Sequence, residues 1–143
     1  MTSTRTVWNV NAGEFPANGT PHQKLEFFLN YAVLAPSTHN SQPWLFRIVG
    51  KTIELYADRT RALPVVDPDD RELVMSCGCA LYHLRLAMHH FGYEDQTEIC
   101  PDDENPDLVA EVRMGGEYKP TATENAMFDA IMTRRTNRHR FEE

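Results

Sequence analysis

The sequence predicts an α+β fold in which a central, mainly antiparallel sheet is packed with helices, and three observations predict it. Leu25, Phe28, Leu29, Ala32 and Val33 recur at intervals of three and four, the period of a helix with one buried face. Leu73, Cys77, Ala80, Leu81, Leu84, Ala87, Met88 and Phe91 keep the same spacing over about five turns. Trp44, Phe46 and Ile48 alternate instead, the period of a half-buried strand. The resulting order of helix, hairpin, helix, strand, strand and helix fits a mixed sandwich.

Residues 1–19 mix Gly, Asn and Pro without a sustained period and read as an irregular arm with at most a short helical turn. Thr20 and Pro21 open the first helix, a hydroxyl at the N-cap and a proline where its missing N–H is harmless. That helix runs to Leu34, because Pro36 disfavours helical geometry at Ala35. Strands over 44–49 and 52–57 flank the turn Gly50-Lys51. Residues 59–66 read as loop, and Asp67-Pro68 repeats the capping signal for the long central helix, which Gly92 stops. Strands follow at 96–100 and 108–114 around the acidic turn 101–107. Paired glycines and Pro120 suggest a linker at 115–121, and a third helix over 123–133 presents Met127, Ala130 and Ile131.

A chain of 143 residues suits one domain and can bury a sizeable core. Its net charge of -7 opposes non-specific binding to nucleic acid, which requires an excess of Lys and Arg. The segment Arg134 to Arg140 is a local basic exception. No apolar run approaches the length of about 18 residues that spans a bilayer, and residues 1–5 lack a secretory stretch, so the expectation is a cytoplasmic protein with no membrane partner. Cys77, Cys79 and Cys100 are odd in number and make no disulfide framework. Cys77 and Cys79 fall on different sides of one helix, which suits close packing and not a shared metal.

Two segments carry the candidate chemistry. The first, Pro36-Ser37-Thr38-His39-Asn40-Ser41-Gln42-Pro43-Trp44, sets small side chains, hydroxyls and amides between a helix end and a strand start. Taken alone it is equally a polar turn whose side chains cap local backbone. The second, Arg134-Arg135-Thr136-Asn137-Arg138, offers three rigid cationic forks that match phosphate oxygens. Taken alone it reads first as a solvated basic end of a helix, where the macrodipole favours cations by about 0.3 to 1 kcal/mol each. Gln42 and Trp44 read as structural, and His39 as non-catalytic. Ser37, Ser41 and Ser76 lack a nucleophile-elbow context, Asp67 to Asp70 read as helix capping, and His83, His89 and His90 read as a solvated helix flank.

The first segment resembles the flavin-contacting loop of the nitroreductase family, Pro-Ser-x-x-Asn-x-Gln-Pro-Trp, through Pro36, Ser37, Asn40, Gln42, Pro43 and Trp44. The second resembles the family's Arg-Arg-Ser-x-Arg segment, which follows the first helix of such a domain and holds the phosphate of flavin mononucleotide (FMN). In an ordinary nitroreductase the arginines come first, whereas here the loop does. This order resembles the Acg family, in which two nitroreductase-like domains are fused. The resemblance implies a nitroreductase-like fold, with residues 1–114 as the first domain, 115–121 as a linker, and 122–143 as the opening helix and arginine segment of a second, incomplete domain. The sequence is then part of a longer one, or a shortened form.

The same resemblance implies FMN as cofactor, with Pro36, Ser37, Thr38 and Asn40 beside the ring and ribityl chain, and Arg134, Arg135, Thr136 and Arg138 at the phosphate. The flavin of that family takes hydride from NADH or NADPH and passes electrons to a nitro compound or quinone, so no catalytic side chain and no metal are expected. The alternative is a catalytically inactive Acg-like protein that binds or sequesters flavin. Because nitroreductase sites lie between two domains, a homodimer is expected.

Overall fold

The computed structural model describes residues 9–140, so the first eight residues of the arm and the tail from Phe141 lie outside it. The elements in chain order are α1 (Pro21–Ala32), β1 (Trp44–Val49), β2 (Thr52–Ala57), α2 (Arg71–His90), β3 (Tyr93–Ile99), β4 (Leu108–Glu117) and α3 (Ala122–Thr133), with short 3-10 turns at Ala12–Glu14, Thr38–Asn40 and Arg59–Arg61. The strands form one sheet in the order β1-β2-β4-β3, with every neighbouring pair antiparallel. The expected α+β architecture is present.

All three helices share one core with the sheet. Leu25, Phe28 and Tyr31 of α1 meet Cys77, Ala80, Leu84 and Met88 of α2, Ile53 and Leu55 of β2, Ala110 and Val112 of β4, and Phe128 and Ile131 of α3. Removing side chains of this size from water stabilises by about 1.5–3 kcal/mol each. The opposite sheet face mixes polar residues with the exposed Leu45 and Val49. Arg47 and Glu54 sit directly across β1 and β2, and the Tyr56 hydroxyl joins them by accepting from Arg47 and donating to Glu54.

Hairpin β1–β2 occupies the expected residues, turning at Gly50, whose φ of 59° suits glycine. Helix α1 opens as expected: the Thr20 hydroxyl accepts from the Gln23 amide while Gln23 Oε1 accepts from the Thr20 amide. Gly92, at φ 86°, stops α2. The other end of α2 differs from expectation. The helix begins at Arg71, with Asp70 at φ 53° as its N-cap, while Asp67 is buried and its Oδ2 accepts from the Leu73 amide at 2.9 Å. Asp67 thus caps an inner amide from across a turn, not the first residue from the usual place.

Strand β3 begins at Tyr93, three residues before the expected start, and β4 continues to Glu117, three residues beyond its expected end. Tyr93 pairs with Glu117 and Asp95 with Met114 across a bulge, so the partner's register makes strand out of Gly115 and Gly116. On α3 the buried residues are Phe128 and Ile131, whereas Ala130 is exposed and Met127 is 45 % exposed. Phe128 faces inward because His90 stacks on its ring at 3.7 Å and Tyr31 lies at 4.7 Å.

Candidate functional site

The chain leaves α1 through two further turn-like bonds, Leu34 N–H to the Tyr31 carbonyl and Ala35 N–H to the Ala32 carbonyl, which deliver it to Pro36. Three non-glycine residues of the loop that follows, His39, Asn40 and Gln42, have φ near 50°. Each such residue costs on the order of 1 kcal/mol and persists only where the surroundings over-determine it. They do. Ser37 Oγ accepts from the Gln42 amide at 2.9 Å, Arg61 Nη1 donates to the carbonyls of Ser41 and Gln42, and the Cys77 thiol donates to the Pro43 carbonyl at 3.2 Å. Burial pushes the Cys77 thiol up to about 11, which keeps that proton in place. The Thr38 amide donates to Ser76 Oγ at 3.4 Å, and Ser76 donates onward to the Glu72 carbonyl, so α2 holds the loop directly.

Beside this loop lies a cleft of about 420 Å³. Pro36, Ser37, Thr38 and His39 form one wall, Glu72, Met75, Ser76 and Cys79 of α2 a second, and Thr136 and Arg138 a third. The loop and the tail, nearly a hundred residues apart in sequence, therefore meet at one surface. Five residues singled out from the sequence line it: Pro36, Ser37, Thr38, Thr136 and Arg138. Asn40, Arg134 and Arg135 are not among its lining. Asn40 is exposed, with its amide on the Ser37 carbonyl. Arg135 Nη1 donates to the carbonyls of Met132 and Arg134, near the end of α3. Arg134 reaches the Leu34 carbonyl and Thr136 Oγ1. Sequence reasoning missed Glu72, Met75 and Cys79. Their spacing of three and four on a helix was the available signal, a stripe beside the buried one.

The expected solvated histidine flank is not what forms. His83 is buried, with Nδ1 at 3.3 Å from the Tyr31 carbonyl, because the ends of α1 and α3 close over it. Burial lowers its pKa, the Tyr31 carbonyl opposes that, and the Arg134 charge lowers it further. His89 lies between Asp95 Oδ1 at 2.6 Å and Glu124 Oε1 at 2.9 Å, stacked on Tyr118, and His90 meets Asn125. Glu124 is held down at about 2, first by the Thr121 backbone N–H and with help from the hydroxyls of Thr121 and Tyr118 and from His89. Burial pushes Asp95 upward, but bonds from Thr97, Arg85 and His89 outweigh it and leave the carboxyl below its usual range. Among the described residues no group of His, Cys, Asp and Glu is arranged to hold a metal, and no helix is long and apolar enough to cross a membrane.

No family model matches the chain. Curated relatives do. A Mycobacterium tuberculosis protein named "Putative NAD(P)H nitroreductase Rv3131" is 33% identical over 133 residues, which is 90% of this chain and 38% of that protein. "Putative NAD(P)H nitroreductase acg" of the same organism is 36% identical over 112 residues, 78% of this chain and 34% of that one. "Probable NAD(P)H nitroreductase PigM" of a Serratia species is 41% identical over 78 residues, 53% of this chain and 22% of that one. Over the stretch it shares with these relatives, the chain is similar to proteins named as NAD(P)H nitroreductases. Acg itself is among those relatives, and the chain spans 38% or less of the length of each relative named here.

Proposed function

We propose that this chain carries the FMN site of a nitroreductase-type oxidoreductase, which passes electrons from NADH or NADPH to a nitro compound or a quinone. The observation that carries the reading is the cleft, where hydroxyls of Ser37, Thr38 and Thr136 and the guanidinium of Arg138 border the apolar groups of Pro36, Met75 and Cys79. FMN asks for a cation at its phosphate, hydroxyl partners along the ribityl chain, and an apolar surface against its ring; this lining has residues of each kind. A volume of about 420 Å³ lies within the range of roughly 300–1,000 Å³ that small-molecule sites occupy. Arg138, with the Thr136 hydroxyl, would hold the phosphate, and Ser37, Thr38 and Pro36 would meet the ribityl chain and ring edge. Glu72, the carboxylate of the lining, disfavours an anion beside it and so restricts the phosphate to the tail side.

When bound, FMN supplies acceptance of hydride and onward delivery of electrons. The residues of the chain bind and orient; the strained loop presents the Ser37 and Thr38 side chains from a fixed backbone. The proposal extends to organisation: residues 1–114 form a first unit and 122–143 the opening of a second whose helix α3 packs into the core of the first, while of the expected connection 115–121 the residues 115–117 belong to β4 and only 118–121 link it to α3. A homodimer completes the cleft. Support for a partner comes from the outward face of α2, where Val74 and Tyr82 are 46% and 48% exposed on either side of Gly78.

The test is titration of the purified chain with FMN, followed by flavin fluorescence and by oxidation of NADH or NADPH. One FMN per chain is expected, with affinity about tenfold or more weaker in Arg138→Gln. Binding without nicotinamide oxidation selects the sequestering alternative. A chain that takes up no FMN sinks the reading.

A further inference from the structure

Arg134, the residue that heads the basic segment, is committed away from the cleft. Its Nη2 donates to the Leu34 carbonyl at 3.1 Å and its Nη1 to Thr136 Oγ1 at 3.1 Å. Its Nε is buried and has no hydrogen-bond partner among the described residues. Leu34 stands two residues before Pro36, where the loop wall begins, and Thr136 lines the tail wall. One guanidinium therefore touches the base of one wall and a lining residue of another. The group is planar and its fork is rigid, so two bonds from one plane fix a separation more firmly than two bonds from a flexible ammonium. The Arg134 charge also acts on His83 of α2, which meets the Tyr31 carbonyl, so the side chain sits where α1, α2 and α3 converge.

Two consequences follow for the cleft. The Nη atoms that would fork a phosphate are directed at Leu34 and Thr136, which leaves Arg138 as the arginine on the lining. Because Thr136 Oγ1 accepts from Arg134, its own hydroxyl hydrogen stays available to donate elsewhere. We propose that Arg134 is a positioning residue, which sets the separation of the loop and tail walls and orients the Thr136 hydroxyl, and is not itself a ligand of the phosphate. This inference rests on the FMN reading for its binding arm, but not for its structural arm.

The discriminating experiment compares FMN with riboflavin, which has the same ring and ribityl chain and no phosphate. The full chain, Arg134→Gln, Arg134→Lys and Arg138→Gln are each titrated with both. Backbone hydrogen exchange of residues 37–42 and of the β2 core is followed in the ligand-free proteins. A positioning role predicts that Arg134→Gln weakens FMN and riboflavin by the same factor, about tenfold, and speeds exchange at 37–42 while Ile53 and Leu55 stay protected. Arg138→Gln weakens FMN alone. Arg134→Lys keeps the charge and serves if the glutamine variant does not fold, with a smaller loss that is again equal for the two flavins. A loss at least tenfold larger for FMN than for riboflavin in either Arg134 variant makes Arg134 a phosphate ligand and overturns the proposal, as does unchanged exchange at 37–42. If the unsubstituted chain binds neither flavin, the FMN reading fails by itself, and the exchange comparison alone decides the role of Arg134.

Discussion

Ser37 and His83 show what single residues contribute beneath the cleft. Ser37 lines it, and its hydroxyl oxygen accepts from the Gln42 amide, so the residue borders the cleft and also holds the left-handed Gln42 in place. Both roles were open in the sequence; the fold shows the capping one, and the ligand contact belongs to the proposed function. His83 was less legible, since a histidine among apolar residues of a helix gives no sign of which neighbours will cover it. Its pKa lies below the usual histidine range, because burial and the Arg134 charge oppose protonation while the Tyr31 carbonyl pulls the other way. The unfolded chain then binds a proton at His83 first as pH falls, so its share of stability is full above about pH 6.5 and is lost below that value. Thermal melts from about pH 7.5 down to about pH 5 should show a falling Tm, less steep in His83→Asn, which keeps a donor toward Tyr31. An identical slope in the variant would remove His83 from the account.

Elements were legible where their own residues fixed them. The hairpin β1–β2 was placed correctly because alternation and a glycine turn are both local signals. Strands β3 and β4 were read short because Glu94, Asp95, Gly115 and Gly116 carry weak strand preference, and only their mutual pairing extends the ladder. Helix α3 was placed nearly to the residue, but its inward face was misread: Met127 lies outward and Phe128 inward, a choice made by the aromatic surfaces of Tyr31 and His90. The same helix is tied at its start by Glu124, which caps Thr121 and accepts from the Tyr118 hydroxyl while meeting His89 Nδ1. Glu124→Ala removes all of these and should cost about 1–3 kcal/mol, or several degrees of Tm. Glu124→Gln, which still caps, should cost less than half as much. Equal melting of the alanine variant and the unsubstituted chain would mean that α3 is held by Phe128 and Ile131 alone.

At the level of the whole molecule, the convergence of loop and tail was the part of the site that sequence motifs could indicate, and the α2 wall the part they could not. Helix α2 forms that wall with one stripe and exposes an apolar stripe next to it. Gly78 lies in the exposed stripe, where a Cβ would meet nothing within 4 Å. A glycine inside a helix costs roughly 0.5–1 kcal/mol relative to alanine, and no contact among the described residues accounts for it. In the proposed dimer, a partner helix crossing closely at Gly78 would. Light scattering should report a dimer for the chain and a monomer for Gly78→Arg, with Tm shifted little; a monomeric unsubstituted chain would end the dimer proposal. One flavin shared by the loop and the tail is the proposal on which the cleft's function turns, and amide chemical-shift mapping during FMN titration probes it at both walls at once. The account predicts that Ser37, Thr38, Ser76, Thr136 and Arg138 move together and saturate at the same FMN concentration, while shifts at the loop with none at the tail, or at neither, would contradict it.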